Sequence, residues 1–194
     1  MPGIDEIAMS QVIFNADDFG RSSAINEAIE LAHRQGVLTS ASLMVAEAGW
    51  KEAVSKAQEM PDLAVGLHVV VISGKAVLPP EEIPLLVDEN GYFSSDPFQA
   101  GLLYFFHREA RAQLKKEITA QFERFAGTKL HLSHVDGHLH MHLHPAILDL
   151  LLPLATSHQA SGIRLPRDDY RLAIDFDQSR RATKASWALV FGLL

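Results

Sequence analysis

Every second residue from His134 to His144 is His or Asp: His134, Asp136, His138, His140, His142 and His144. Between them stand Val135, Gly137, Leu139, Met141 and Leu143, all apolar or small. A period of two is how a β-strand sorts its side chains onto two faces. Imidazole and carboxylate groups are ligands for divalent metals and carriers of protons. A row of them closing a strand is hard to account for as packing and reads as an active site. Its length limits what it can do. On a strand, same-face neighbours are ~6.6 Å apart and eleven residues span ~33 Å, from a rise of ~3.3 Å per residue. One metal can therefore take one or two members of the row; the others hydrogen-bond, bind substrate or begin the next element. A surface run that binds metal adventitiously is the competing account. Pro145 and the helical segment behind it favour a strand-to-helix junction instead.

Two further features have the same chemistry. Asp17-Asp18 follows Val12–Ala16, which reads as a short buried strand. Adjacent carboxylates at a strand end point in different directions, so one can bind a metal while its neighbour acts as a base. An isolated Asp pair is more often a turn or helix cap. His68 lies near the end of the apolar stretch Leu63–Ile72, where a lone histidine is more often a hydrogen-bonded core residue. Taken together, Asp17-Asp18, His68 and Asp136/His138 each fall at the C-terminal end of an expected parallel strand, the edge on which α/β proteins build their sites. Two histidines and one carboxylate with open coordination positions suit a divalent ion that activates water, with a second Asp as general base. The residues therefore point to metal-assisted hydrolysis and leave its substrate open.

The elements that must position these groups alternate. Helices are expected over Ala24–Gln35, capped by Ser22 or Ser23, over Trp50–Met60, over Arg108–Phe125 and over Pro145–Leu154, with Pro at its first position. Strands are expected at Val12–Ala16, Thr39–Val45, Leu63–Ile72, His131–His138 and Gly162–Leu165. Residues 73–107, broken by Pro79, Pro80, Pro84 and Asp96-Pro97, read as a long excursion with little regular structure, a lid-like insertion. Its aromatics Tyr92, Phe93, Phe98, Tyr104, Phe105 and Phe106 either form an aromatic lid or simply pack. Alternating strands and helices define an α/β fold with a parallel sheet, open or closed into a barrel.

The chain has 194 residues, 47% of them hydrophobic, enough for one domain with a sizeable core. A net charge of −7 argues against nucleic-acid or anionic-membrane partners. The absence of cysteine excludes disulfides, thiolate metal sites and a cysteine nucleophile, and is compatible with the cytoplasm, the expected location. No leader pattern and no apolar run of ~20 residues is visible. The apolar end ASWALVFGLL stops abruptly, and we expect the chain to be cut inside an element.

NADDFG (15–20), GLHVVV (66–71), HVDGHLHMHLHP (134–145) and IRLPRD (163–168) together resemble the successive motifs of the YdjC-like carbohydrate deacetylases. VLPPEEIPLLVDENG (77–91) is similar to the branch associated with hopanoid biosynthesis. The resemblance implies a distorted (β/α) barrel, here missing its C-terminal part, that removes the N-acetyl group from an N-acetylglucosamine-type sugar, in the hopanoid branch one carried on a glycolipid. By motif, Asp18, His68 and His138 correspond to metal ligands, Asp17 to the general base and Asp136 to the partner of a ligating imidazole. Arg164 matches an arginine near the substrate, and His140 and His142 fall beside the pocket. The family implies one Mg2+, whereas the ligand types also suit Zn2+. Family members run well past 194 residues, and a late His-Pro motif associated with the catalytic acid is absent. A homodimer is compatible with this reading. A metal-dependent phosphoesterase and a non-catalytic sugar- or metal-binding barrel fragment are the alternatives; no Gly-rich phosphate loop favours the former.

Overall fold

The computed structural model describes residues 12–166 and, beyond them, Ile174, Asp175, Ser179 and Ala185. Four strands, β1 (Asn15–Phe19), β2 (Ser40–Leu43), β3 (Ala64–Val69) and β4 (Val135–Gly137), form one sheet in the order β1-β2-β3-β4, every pair parallel. Helices α1 (Ser23–Gln35) and α2 (Trp50–Gln58) fill the first two crossovers. The third carries α3 (Pro97–Phe106) and α4 (Arg108–Gly127), and α5 (Pro145–Ser157) follows β4. Sequential order without reversal is the winding of a (β/α) barrel arc; a doubly wound sheet reverses direction at a switch point. Ile163 adds a single parallel bridge to Val135, where a fifth short strand was expected.

Alternation sorts the strands. Ala41, Leu43, Val65, Leu67, Val69 and Val135 are buried in the apolar core, to which α4 contributes Leu114, Ile118, Phe122 and Phe125. The intervening residues Ser42, Gly66, His68 and Asp136 form the opposite, polar face. Register then brings His68 and Asp136 together as direct partners across β3 and β4. No helix among the described residues is long and apolar enough to cross a membrane.

Several boundaries differ from the sequence expectation, each for a physical reason. β1 runs over Asn15–Phe19 instead of 12–16, so Asp17 and Asp18 lie inside the strand, at a register irregularity between Ala16 and Phe19. Val12, Ile13 and Phe14 are exposed despite their apolar character. β4 is only three residues long, and the histidine row leaves it at His138 to enter a 3-10 turn over His138–Leu143. Leu139 and His140 take left-handed backbone angles, φ 52° and 58°. The chain thus doubles back onto Gly137, where a Cβ would lie 2.9 Å from the Cβ of His142. The alternating row is therefore not one strand face.

Residues 73–107 also hold more structure than expected. Asp96 caps α3 by accepting from the N–H groups of Phe98 and Gln99, and Pro97 occupies the first turn. The six aromatics of the segment divide: Phe93 and Tyr104 are buried, whereas Tyr92, Phe98, Phe105 and Phe106 are exposed. The Tyr104 hydroxyl donates to the Val71 carbonyl at 2.7 Å. A polar stripe on α4 grips the segment. Gln113 accepts from Leu85 N–H, Glu117 from Val77 and Leu78 N–H, and Gln121 bonds both N–H and C=O of Val70. Burial pushes the Glu117 carboxyl above its ordinary range. Glu117→Ala leaves the half-buried N–H groups of Val77 and Leu78 without an acceptor and should lower stability by about 1–3 kcal/mol. A urea-unfolding midpoint equal to that of the parent would refute the latch.

The expectation concerning ASWALVFGLL lies outside the described residues apart from Ala185.

Candidate active site

Three strand ends deliver the reactive groups: Asp17 and Asp18 lie in β1, His68 in β3, and Asp136 in β4 with His138 opening the turn that follows it. The irregularity in β1 puts Asp18 at φ 64°, a left-handed conformation that Asp tolerates better than most residues. Asp17 and Asp18 consequently diverge. The Asp18 Oδ1 atom lies 3.4 Å from His68 Nε2 and 3.0 Å from His138 Nδ1. Neither approach is aligned as a hydrogen bond, and Asp18 Oδ1 and His68 Nε2 are both buried without such a partner. The other Asp18 oxygen accepts from Arg21 at 2.7 Å. The His68 and His138 rings stand edge to face, their centroids 5.6 Å apart.

Asp17 turns the other way. Its Oδ1 accepts from Asn15 at 2.8 Å and from Arg164 at 2.6 Å. The same Arg164 nitrogen reaches Asp136 Oδ2 at 3.2 Å, so one guanidinium bridges two carboxylates. Asp136, 1% exposed, accepts from His68 Nδ1 at 2.7 Å through Oδ1 and from the Ser42 hydroxyl at 2.9 Å through Oδ2.

Charge follows geometry. Burial pushes the Asp18 carboxyl up, but His138, His68 and Arg21 outweigh it and hold the group well below the usual carboxylate range. Burial pushes His68 down, but the carboxylates of Asp136 and Asp18 outweigh it and carry the imidazole from 6.5 up to about 9. Asp136 is raised by burial and lowered more by His68 and Ser42, ending at about 2. Burial lowers His134, His140 and His142.

Two groups of donor atoms are compact enough to hold an ion, Asp18–His68–His138 and Asp17–His68–Asp136, each with all its atoms within 4.8 Å of one another. The first fits a cation better. It contains two buried unpartnered atoms that face each other, Asp18 Oδ1 and His68 Nε2, whereas the second already has Arg164 between its carboxylates. The His68–Asp136 bond is also the arrangement that fixes a ligating imidazole, Nδ1–H on the carboxylate and Nε2 free to bind.

Of the residues singled out from sequence, Asp17, Asp18, His68, Asp136, His138 and Arg164 meet in this cluster. His142 is fully buried behind it, its Nε2 bonded to the Arg164 carbonyl at 2.9 Å, and His140 stacks edge-on to His142 with ring centroids 6.1 Å apart. Asn15, Ser42 and Arg21 were missed as participants. Ser40 and Ser42 alternating with Ala41 and Leu43 in a buried strand were the available signal, since buried parallel strands are normally apolar throughout.

Fold and cluster together define an α/β protein with parallel, sequentially ordered strands and a carboxylate–imidazole centre at their C-terminal ends. The chain belongs to the YdjC-like protein family, whose family model matches residues 11–192. Among its relatives are carbohydrate deacetylases from Brevibacillus brevis, 41% identical over 80% of this chain and 59% of that protein, and from Geobacillus stearothermophilus, 37% identical over 81% and 64%. A third, from Vibrio cholerae, is 35% identical over 76% of this chain and 56% of the relative. The chain thus spans about three-fifths of the length of the curated relatives it matches. A crystal structure of a proposed cellobiose-phosphate cleavage protein from Enterococcus faecalis V583 superposes with a TM-score of 0.67 at 31% identity, covering 81% of this chain and 59% of that one.

Proposed function

We propose that this chain carries the site of a metal-dependent hydrolase that removes the acetyl group from an N-acetylglucosamine-type sugar, with a hopanoid glycolipid as the finer substrate assignment. The observation that carries the reading is the pair of buried, unpartnered donors, Asp18 Oδ1 and His68 Nε2, converging with His138 at the strand ends. The deacetylase relatives support the sugar amide as substrate.

Asp18, His68 and His138 hold the ion in this proposal. Family resemblance implies Mg2+, while two imidazoles suit Zn2+. When bound, such an ion supplies Lewis acidity toward a carbonyl oxygen and toward water. Asp17 takes the proton of the attacking water. The water oxygen bonds to the acetyl carbon, the proton held by Asp17 passes to the departing nitrogen as the C–N bond breaks, and the products are acetate and the free sugar amine. Asp136 keeps the His68 ring in place. Arg164 holds Asp17 and Asp136 at a fixed separation and adds positive charge beside the reacting carbonyl. The lid role of residues 73–107 belongs to this proposal, with exposed Phe98, Phe105 and Phe106 as the surface for a sugar or lipid face.

The test is acetate release from N-acetylglucosamine conjugates, soluble and glycolipid-linked, in chelated and metal-reconstituted protein. Metal-dependent acetate is expected. Its absence from every substrate refutes the deacetylase reading. A second reading, cleavage of a sugar phosphate, takes its support from the description of the Enterococcus protein, and phosphate release from the matching phosphosugars in place of acetate would select it.

A further inference from the structure

Below the candidate metal cluster, a chain of side chains runs through the polar face of the sheet in which every proton has only one place to go. Asp136 is surrounded by donors, His68 Nδ1, Ser42 Oγ and Arg164, and its carboxylate serves them as an acceptor. Ser42 therefore spends its single hydroxyl proton on Asp136 Oδ2 at 2.9 Å. Two more polar atoms approach the same Ser42 oxygen, Asn15 Nδ2 at 3.0 Å and His134 Nε2 at 3.0 Å. With its proton committed, Ser42 must accept from both, which places the His134 proton on Nε2. His134 Nδ1 is then a bare acceptor, and Ser133 Oγ lies 2.8 Å from it. Ser42 is fully buried and makes its full complement of one donated and two accepted bonds. Asn15 uses its second N–H on Asp17 Oδ1, at 2.8 Å, so the same chain also touches the proposed base.

Space is reserved for this arrangement. A Cβ on Gly66 would lie 2.4 Å from His134 Cε1 and 2.5 Å from both ring nitrogens. Any larger residue in the middle of β3 would evict the imidazole. Neither Ser42 nor His134 hydrogen-bonds to Asp18, His68 or His138. They reach that cluster through Asp136, which His68 Nδ1 contacts at 2.7 Å.

We infer that Ser42 and His134, with the gap at Gly66, are positioning residues of the metal centre: they deliver an ordered line of donors to Asp136 Oδ2, so that its Oδ1 stays turned to His68 and His68 Nε2 stays aimed at Asp18. The inference rests on the reading of Asp18, His68 and His138 as metal ligands. Carboxylates and other partners one step behind a ligand affect affinity by ~10–100-fold when removed, and the effect expected here of residues that orient such a carboxylate is the lower end of that range.

The probe is Zn2+, titrated calorimetrically into chelated protein. Ser42→Ala and His134→Ala are each expected to weaken binding about tenfold. The double variant should be no weaker than the worse single one, because both act along one line. Gly66→Ala should match His134→Ala. His134→Gln, whose amide keeps a donor near the Nε2 position, should recover most of the loss. In metal-free protein labelled with 15N-histidine, two-bond proton–nitrogen spectra should show His134 as the Nε2–H tautomer in the parent and not in Ser42→Ala. Parent-like Zn2+ affinity in both single variants, additive losses in the double variant, or an Nδ1–H His134 in the parent would each overturn the inference. A parent that binds no Zn2+ instead refutes the metal site itself, a result distinguishable from these because the tautomer is read without metal.

Discussion

Asp17→Asn lowers kcat for acetate release by about 10²–10⁴-fold, the contribution of a positioned general base, and leaves metal affinity unchanged. The substitution is mild in structure. Both hydrogen bonds to Asp17 arrive at Oδ1, from Asn15 and Arg164, and an asparagine keeps an acceptor there. What it cannot do is take a proton. The two possible donor groups make the experiment decisive. Were the ion instead held by Asp17, His68 and Asp136, the variant would lose metal and activity together. Asp18→Asn is the control in the opposite sense, since it removes a charged donor from the favoured group and should empty the site. Metal content by elemental analysis, measured beside kcat in both variants, separates a base from a ligand.

The second large effect concerns protons. In the metal-free protein His68 is carried from 6.5 up to about 9, so at neutral pH its Nε2 holds a proton where an ion would bind. The protonated form stabilises the metal-free fold. That contribution is complete below about 6.5 and is lost as pH rises through about 9. An ion competes with the same proton, so its affinity moves in the opposite direction. Between pH 7 and 9 apparent affinity should climb about tenfold per pH unit, with close to one proton released per ion, and then level off. Calorimetry in buffers of different ionisation enthalpy counts the proton. Asp136→Asn removes the largest group holding His68 up and should bring the levelling point down. A pH-independent affinity over this window would contradict the ligand role of His68.

Much of the scaffold was legible because local signals agreed with the fold. Ser22 caps α1 by accepting from Ile25 N–H, Pro145 opens α5, and α4 begins at Arg108, all as the residue pattern required. Asp96-Pro97 was misread for an instructive reason. The pair is as good a helix start as it is a turn, and only the packing of Ala100 and Tyr104 decides between them. The histidine row shows the complementary failure. Alternation predicts a strand only where the backbone stays extended, and Leu139 and His140 leave that region, at a cost of ~1–3 kcal/mol each. Nothing in their identities announces it. As for the candidate site, the carboxylates and imidazoles could be found one by one from chemistry. Their joint placement depended on the parallel register of β3 and β4, and Ser42 became visible only once Asp136 had a neighbour.

The stripe Gln113–Glu117–Gln121 holds its side of the 70–85 stretch solely by main-chain atoms: the N–H groups of Val70, Val77, Leu78 and Leu85 and the carbonyl of Val70. A grip on the backbone is blind to side chains. Ala76, Ile83, Leu86 and Phe93 are fixed by their burial in the core, whereas the loop can exchange its exposed residues without loosening this anchor. That makes the excursion an interchangeable part. Under the proposed lid role of this segment, grafting the exposed positions of the 73–95 stretch from one relative onto another should transfer substrate preference without changing metal binding.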